Sequence, residues 1–432
     1  MSVRGLLVLF AFLPAWVVAQ NSHLLPTSKQ HLALQPPMQP AAEPAPEPNP
    51  TSQPPQPAAE PAPEPNPTTV PPQPAAQPTP EPNPTSTPSA EQPSAPVVRV
   101  QRTPTQEHHP EQPAEKKADN DKPINPAELH KPSLWHDPGN IASLDLFYGQ
   151  GGQKGMPIAP FVFEAEDHSG TNPKFDVRDS RGRKWRVKLG EEVRPEVVAS
   201  RLLWATGFYV NDDYVLTTAD IQNLHLHRGA NLVRNGHVTE ARFARKPTGQ
   251  KKIGIWKWKA NPFVGTREFN GLRVMMALMN SWDLKDVNNA VFQDAKTGKE
   301  LFLMSDVGAT FGSNGLSWTN ARSKGNIDSF KDSKFIEKVT DTEVSFGTPK
   351  PPTARLIEAF VLPEMRDYAR RADMRWIGED IPRQDARWMG ALLKQLSHQQ
   401  LVDAFRAGQF PPDQIDAYVE LIQSRIQELT SL

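Results

Sequence analysis

The chain has 432 residues, 46 of them proline and none cysteine, with 48 basic and 49 acidic side chains and a net charge of −1. Without cysteine there is no disulfide framework, no lipid-carrying thiol, no cysteine-ligated metal and no thiol nucleophile. The balanced charge lacks the basic footprint of a nucleic-acid or anionic-membrane binder, so no nucleic-acid partner is expected.

The chain opens with Arg4, an apolar run over 5–18, and small residues at Val17 and Ala19. This is the pattern of a secretory signal peptide, residues 1–19, cut after Ala19. The run is short for a membrane span and contains Pro14, so an uncleaved N-terminal anchor is the alternative reading. No later segment is long and apolar enough to cross a bilayer. The expected product is exported, periplasmic or extracellular in a bacterium.

Most prolines precede position 135. A stretch beginning at Gln39 recurs almost unchanged from Gln56 and from Gln73, a period of 17 residues. That is too short and too polar for a solenoid unit. Proline removes amide donors and favours polyproline II, so residues 20–136 are expected to be a disordered, extended spacer. At about 3.1 Å per residue the repeats reach on the order of 150 Å. Such a spacer suits contact with the cell envelope, or a tether with no partner. His108 and His109 lie in this polar stretch, where a linker is the plainer reading than a metal site.

Periodic structure is expected over 137–432, as a small lobe over about 141–217 and a large lobe over about 218–432. Gly149, Gly151, Gly152 and Gly155 form a flexible loop. Alternation then predicts strands over 161–164, 175–178 and 184–189, joined by turns at Gly170 and Gly182. The Gly170-Thr171 turn exposes amides able to cradle phosphate, with Lys174 at its rim and Lys188 on the third strand. A helix begins near Pro195 and ends before Gly207, with Glu196 in its first turn. Glu191 and Glu192 are rivals to Glu196 as partner of Lys188. Residues 213–216 read as a strand able to cross between lobes. His225 and His227 lie two apart, but the neighbouring sequence supplies no further zinc ligands.

The segment 251–259 alternates lysines with Trp256 and Trp258, as an exposed strand or a polymer-gripping face. Leu272, Met275, Met276 and Met279 make a core-facing helical stripe. Residues 283–289 read Asp-Leu-Lys-Asp-Val-Asn-Asn, two short apolar strands follow, and then comes Asp306-Val307-Gly308. An acid, an amide five positions on and a second acid in Asp-x-Gly is the order a phosphotransferase uses. One group orients a hydroxyl and two hard oxygen ligands hold magnesium. An Asp-x4-Asn pair alone is expected about once by chance at this length. Residues 309–352 are polar, like a substrate or activation segment. Helices are expected over 356–371, 386–396, 399–407 and 414–429.

As an ordered set these parts resemble a divergent protein-kinase-like fold, closest to the HipA-type serine kinases and the phosphatidylinositol kinase-like branch. The turn from Gly170 to Lys174 is similar to their phosphate loop, Val187-Lys188-Leu189 to the nucleotide-lysine strand, and residues 283–288 to the catalytic loop. Asp306-Val307-Gly308 is similar to the metal-binding Asp-Phe-Gly. The domain also resembles a group of exported bacterial proteins, which implies no activity.

The resemblance implies an α+β class: a bilobal domain with a small antiparallel β lobe and a helical lobe, after the disordered Pro-rich region. It implies an ATP- and magnesium-dependent phosphotransferase acting on an unknown hydroxyl-bearing acceptor, protein or small molecule. Asp283 would deprotonate the acceptor and Lys285 would neutralise the transferred group. Asn288 and Asp306 would hold magnesium. Gly170, Thr171, Lys174, Lys188 and Glu196 would hold the nucleotide. Ser281-Trp282 replaces the family's His-Arg, and Glu196 follows Lys188 by only eight residues. The alternative is a non-catalytic kinase-like binding module tethered in the envelope.

Overall fold

In chain order the elements are β1 (Pro132–Ser133), α1 (Gly152–Gly155), β2 (Phe161–Asp167), β3 (Lys174–Arg178), β4 (Lys184–Lys188) and α2 (Val193–Ala205). Then come β5 (Tyr209–Val210), β6 (Asp213–Gln222), β7 (Val233–Arg234), β8 (His237–Arg245), β9 (Gln250–Gly254) and α3 (Arg267–Leu278). Next are β10 (Asn289–Asp294), β11 (Glu300–Met304), α4 (Ile327–Lys331), β12 (Ile336–Val339), β13 (Glu343–Phe346) and β14 (Ile381–Pro382). The helices α5 (Arg383–Leu393), α6 (His398–Ala407) and α7 (Pro412–Thr430) complete the fold. This computed structural model describes residues 121–170, 172–245, 249–313, 323–349 and 369–432. The signal peptide, the proline repeats, the His108-His109 pair and most of the helix expected over 356–371 lie outside the described residues. The class is mixed α+β.

Six strands form the first sheet, in the order β4-β3-β2-β6-β8-β7, and β8 also pairs with β4. The pairings β4–β3–β2–β6–β8–β4 therefore run in a circuit. Its inside follows from strand alternation, which sends every second side chain to the same face. Phe175, Val177, Trp185, Val187, Ile221, Val238 and Phe243 pack there. Lys188 in β4, Arg242 in β8 and Asp213 in β6 each stand one place from an inward side chain, Val187, Phe243 and Tyr214, and face outward; β6 and β8 change phase farther along, where Ile221 and Val238 are the buried residues. The sheet continues past residue 217, the expected lobe boundary, to Arg245. Residues 213–216 do not cross between sheets: they pair with 241–244 of β8 inside the first sheet.

The helix α2 covers that outward face. It starts two residues before Pro195, which sits within the first turn, where amides lack helical partners anyway. Gly207, with φ +92°, ends it. The amides of Gly207 and Phe208 bond the carbonyls of Trp204 and Leu203, which closes the last turn.

The second sheet places β11 between β10 and β1, with β9 beyond β10 and β5 also on β11. Its helices bury one large core with α3 at the centre. Leu272, Met275, Met276 and Met279 are all 0 % exposed. Trp256 and Trp258 are buried too, and the Trp256 indole donates to the Leu303 carbonyl at 3.0 Å. The 251–259 segment is therefore no gripping face. A third sheet joins β12, β13 and β14. Among the described residues no helix is long and apolar enough to cross a membrane.

The folded body starts earlier than residue 137, within the expected spacer. β1 runs parallel to β11, Pro123 bridges Ile255, and Leu134 is buried. The amides of His130 and Lys131 donate to the buried Glu300 carboxylate at 3.3 and 2.6 Å. The Trp135 indole donates to the Thr206 carbonyl at 2.7 Å.

Candidate active site

Lys188 ends β4 and is 1 % exposed, yet it carries a charge. Burying an ammonium is costly unless carboxylates and hydrogen bonds compensate. Three carboxylates do so. Its Nζ lies 2.6 Å from Glu192 Oε2, 2.9 Å from Glu196 Oε2 and 3.2 Å from Asp306 Oδ1. Burial opposes its charge, but Glu196, Asp306 and Glu192 outweigh that and raise its pKa. The short spacing between Lys188 and Glu196 is thus no obstacle, because strand end and first helical turn face each other. Glu192, the sequence rival, shares the lysine rather than replacing Glu196.

The network continues beneath α2. Arg242 Nη1 lies 2.5 Å from Glu196 Oε1 and 3.5 Å from Asp213 Oδ2. Arg201 reaches Asp213 Oδ1 at 3.3 Å and its carbonyl at 2.7 Å. Ser200 donates to Asp213 at 3.2 Å, and Lys324 pairs with Glu192 at 3.0 Å. Burial pushes Glu196 up, to about 7, against Arg242 and Lys188. That opposes the upward shift of Lys188 across the same pair. With two cations within 3 Å, ionised Glu196 is the state the geometry supports.

Asp306 follows β11. Burial raises its carboxyl, but Lys188 and Arg242 prevail and hold it down at about 2. Its side chain is still 34 % exposed, so one side of the carboxylate stays open. Gly308 lets this turn approach α2, since a Cβ there would meet Glu192 Cβ at 2.6 Å.

The 283–288 loop is joined to the same place. α3 ends through Asn280 at φ +54°, with Asn280 and Ser281 amides bonding the Ala277 and Met276 carbonyls. Asn288 Nδ2 donates to the Asp283 carbonyl at 2.7 Å. The Asn288 carbonyl accepts the amides of Ser305 and Asp306 at 2.9 and 3.0 Å. Lys285 Nζ pairs with Asp283 Oδ1 at 2.9 Å. A recess of about 310 Å³ opens beside Asp283, Lys285 and Asp286.

Lys174 opposes Lys188 in register across β3 and β4, on the same outward face. Burial lowers its pKa. Gly170 has φ +71°, and a Cβ there would lie 3.2 Å from Lys174 Nζ. Thr171 lies outside the described residues. The glycines at 149, 151 and 155 do not face a ligand. Cβ atoms there would clash with Arg201, Tyr214 and Asp212, so these glycines allow close packing.

Asn288 and Asp306 offer the hard oxygen donors that magnesium takes, although both Asp306 oxygens also lie within 3.3 Å of Lys188 Nζ. Asn288's amide nitrogen is committed to Asp283, which leaves Oδ1 as the ligand atom, and Asp306 offers an ionised oxygen on its open side. The carboxylates of Glu192, Glu196 and Asp306 also lie within 4.8 Å of one another, but the Lys188 ammonium already stands among them. Sequence reasoning missed Arg242 and Arg201, whose partners are remote in the chain. It also missed Arg228, which donates to the carbonyls of Gly170, Asp167, Ser169 and Asn172 at 2.5, 2.9, 3.2 and 3.3 Å.

No family model matches the chain, and no curated protein sequence matches it. Several solved chains are similar, and two of them illustrate the low scores. One is the Helicobacter pylori proinflammatory kinase CtkA, with 9% identity and a TM-score of 0.30, over 60% of this chain and 90% of that one. The other is the Golgi casein kinase, with 9% identity and a TM-score of 0.30, over 67% of this chain and 73% of that one.

Proposed function

We propose that the protein is an exported, ATP- and magnesium-dependent phosphotransferase of kinase-like fold. One observation carries this reading: Lys188 binds Glu196 of α2 and Asp306 of the Asp-Val-Gly turn at once, and Asn288 ties that turn to the Asp283 loop. Magnesium nucleotide, when bound, supplies the transferable phosphoryl group. Asn288 and Asp306 hold the cation. Lys188, kept in place by Glu196, neutralises phosphate charge, with Lys174 at the rim. Asp283 orients an acceptor hydroxyl in the recess beside it and takes its proton, and Lys285 offsets charge on the transferred group. Positioning and fixed charge supply most of the catalysis in such chemistry.

The test is a thermal shift on the full chain with ATP and magnesium chloride. A ligand that binds only the folded state raises Tm with concentration by mass action. Wild type should show that rise and Asp306→Ala should lose it. With labelled ATP and an acceptor, Asp283→Ala should slow transfer by about a hundredfold or more. A Tm unmoved by every nucleotide would overturn the proposal in favour of a non-catalytic module on a tether.

A further inference from the structure

Glu166, His168 and His227 have no place in the phosphotransferase reading, and the fold brings them together beside the Gly170 turn. Glu166 lies near the end of β2, His168 just beyond it, and His227 in the connection from β6 to β7. Their ligand atoms all lie within 4.8 Å of one another. The carboxylate is the fixed member. Its side chain is 6 % exposed, and it accepts the amides of His227 and Arg228 at 2.8 and 3.0 Å. His227 Nδ1 lies 3.0 Å from Glu166 Oε2, and His168 Nδ1 lies 3.8 Å from Oε1. The two imidazoles are 79 % and 64 % exposed, and their ring centroids lie 5.7 Å apart. The neighbouring His225 takes no part: its ring packs on Phe163 with centroids 4.8 Å apart.

We propose that Glu166, His168 and His227 form a binding site for a zinc-class divalent transition metal. Two imidazoles and a carboxylate are ligands that zinc and its late first-row neighbours take, with solvent completing the shell. Metal–nitrogen bonds of about 2.0–2.1 Å need ligand atoms about 3.4 Å apart. Small rotations of two exposed rings toward a fixed carboxylate achieve that spacing. Glu166 is already oriented by the His227 and Arg228 amides, which hold its two oxygens in place.

The site lies where two chain segments are already latched. Arg228, next to His227, binds the carbonyls of Asp167, Ser169, Gly170 and Asn172. A metal joining His168 to His227 adds a further tie between the end of β2 and the β6–β7 connection, at the base of the Gly170 turn.

Metal-free full-length protein is titrated with zinc chloride by calorimetry and with cobalt(II) by absorbance. To subtract binding elsewhere on the chain, the reference is the double variant His168→Ala/His227→Ala. Wild type should bind one more equivalent than the double variant, and either single variant should weaken that equivalent at least about tenfold. Both residues are exposed, and circular dichroism checks that the variants fold. His237→Ala, which removes another exposed imidazole paired with Asp220, should match wild type. Identical isotherms for wild type and the double variant would overturn the assignment, as would an equal loss in His237→Ala.

Discussion

The protein buries cations in two ways, and the contrast separates the candidate site from the frame around it. Beneath α2, Lys188, Arg242, Arg201 and Lys324 face Glu192, Glu196, Asp306 and Asp213. In the helical part, Arg425 meets carbonyls and a hydroxyl. It donates to the Leu278, Phe330 and Ser333 carbonyls and to Ser333 Oγ, and it lies 3.9 Å above the Phe330 ring. Arg273 likewise donates to the carbonyls of Ile377, Trp376 and Glu379. The electrostatic outcomes are opposite. Burial opposes both kinds of cation, yet carboxylates still raise the pKa of Arg242, while burial leaves Arg425 and Arg273 lowered to about 10. A carbonyl-capped arginine is a staple with nothing to exchange. A carboxylate-clustered lysine beside an open acid can trade one anion for another, and phosphate is an anion.

The largest expected effect comes from breaking the clustered side. Lys188→Met leaves Glu192, Glu196 and Asp306 facing one another and should cost about 3–5 kcal/mol in urea unfolding. It should also remove any nucleotide-dependent rise in Tm. Arg425→Met should cost less, about 1–3 kcal/mol, for the Leu278 carbonyl that loses its arginine donor. Its nucleotide response should stay at the wild-type level, and a lost response there would end the contrast. The smallest effect is acid sensitivity. The folded-state pKa of Asp306 is about 2, below its usual 3.8, so its contribution is present above pH 3.8 and is lost as pH falls toward 2. Acid titration followed by circular dichroism should show this loss in wild type and not in Asp306→Asn.

The parts of the site written in local pattern were legible. Lys188 ends an alternating strand, Glu196 sits in a helix with Pro195 in its first turn and Gly207 just past its end, and Asp306 follows an apolar strand in Asp-x-Gly. Arg242 was not legible, because its partners Glu196 and Asp213 lie far upstream and only the ring of strand pairings brings them together. The Glu166 cluster was hidden for the same reason: His227 has no ligand nearby in sequence. Alternation showed that Trp256 and Trp258 share a face, but period alone does not say whether that face meets solvent or core. At the N-terminal side the polar, proline-rich surroundings masked Leu134 and Trp135, whose burial depends on Gly207 and β11.

That last segment has a practical bearing on how the protein is handled. A shortened version beginning at residue 137 would strip Glu300 of both its amide donors and leave the Thr206 carbonyl without its indole. It would also uncover the flank of β11, the strand that delivers Asp306. A cut made upstream of Asp121 keeps this lining, so the safe trimming point lies inside the stretch that composition marks as dispensable.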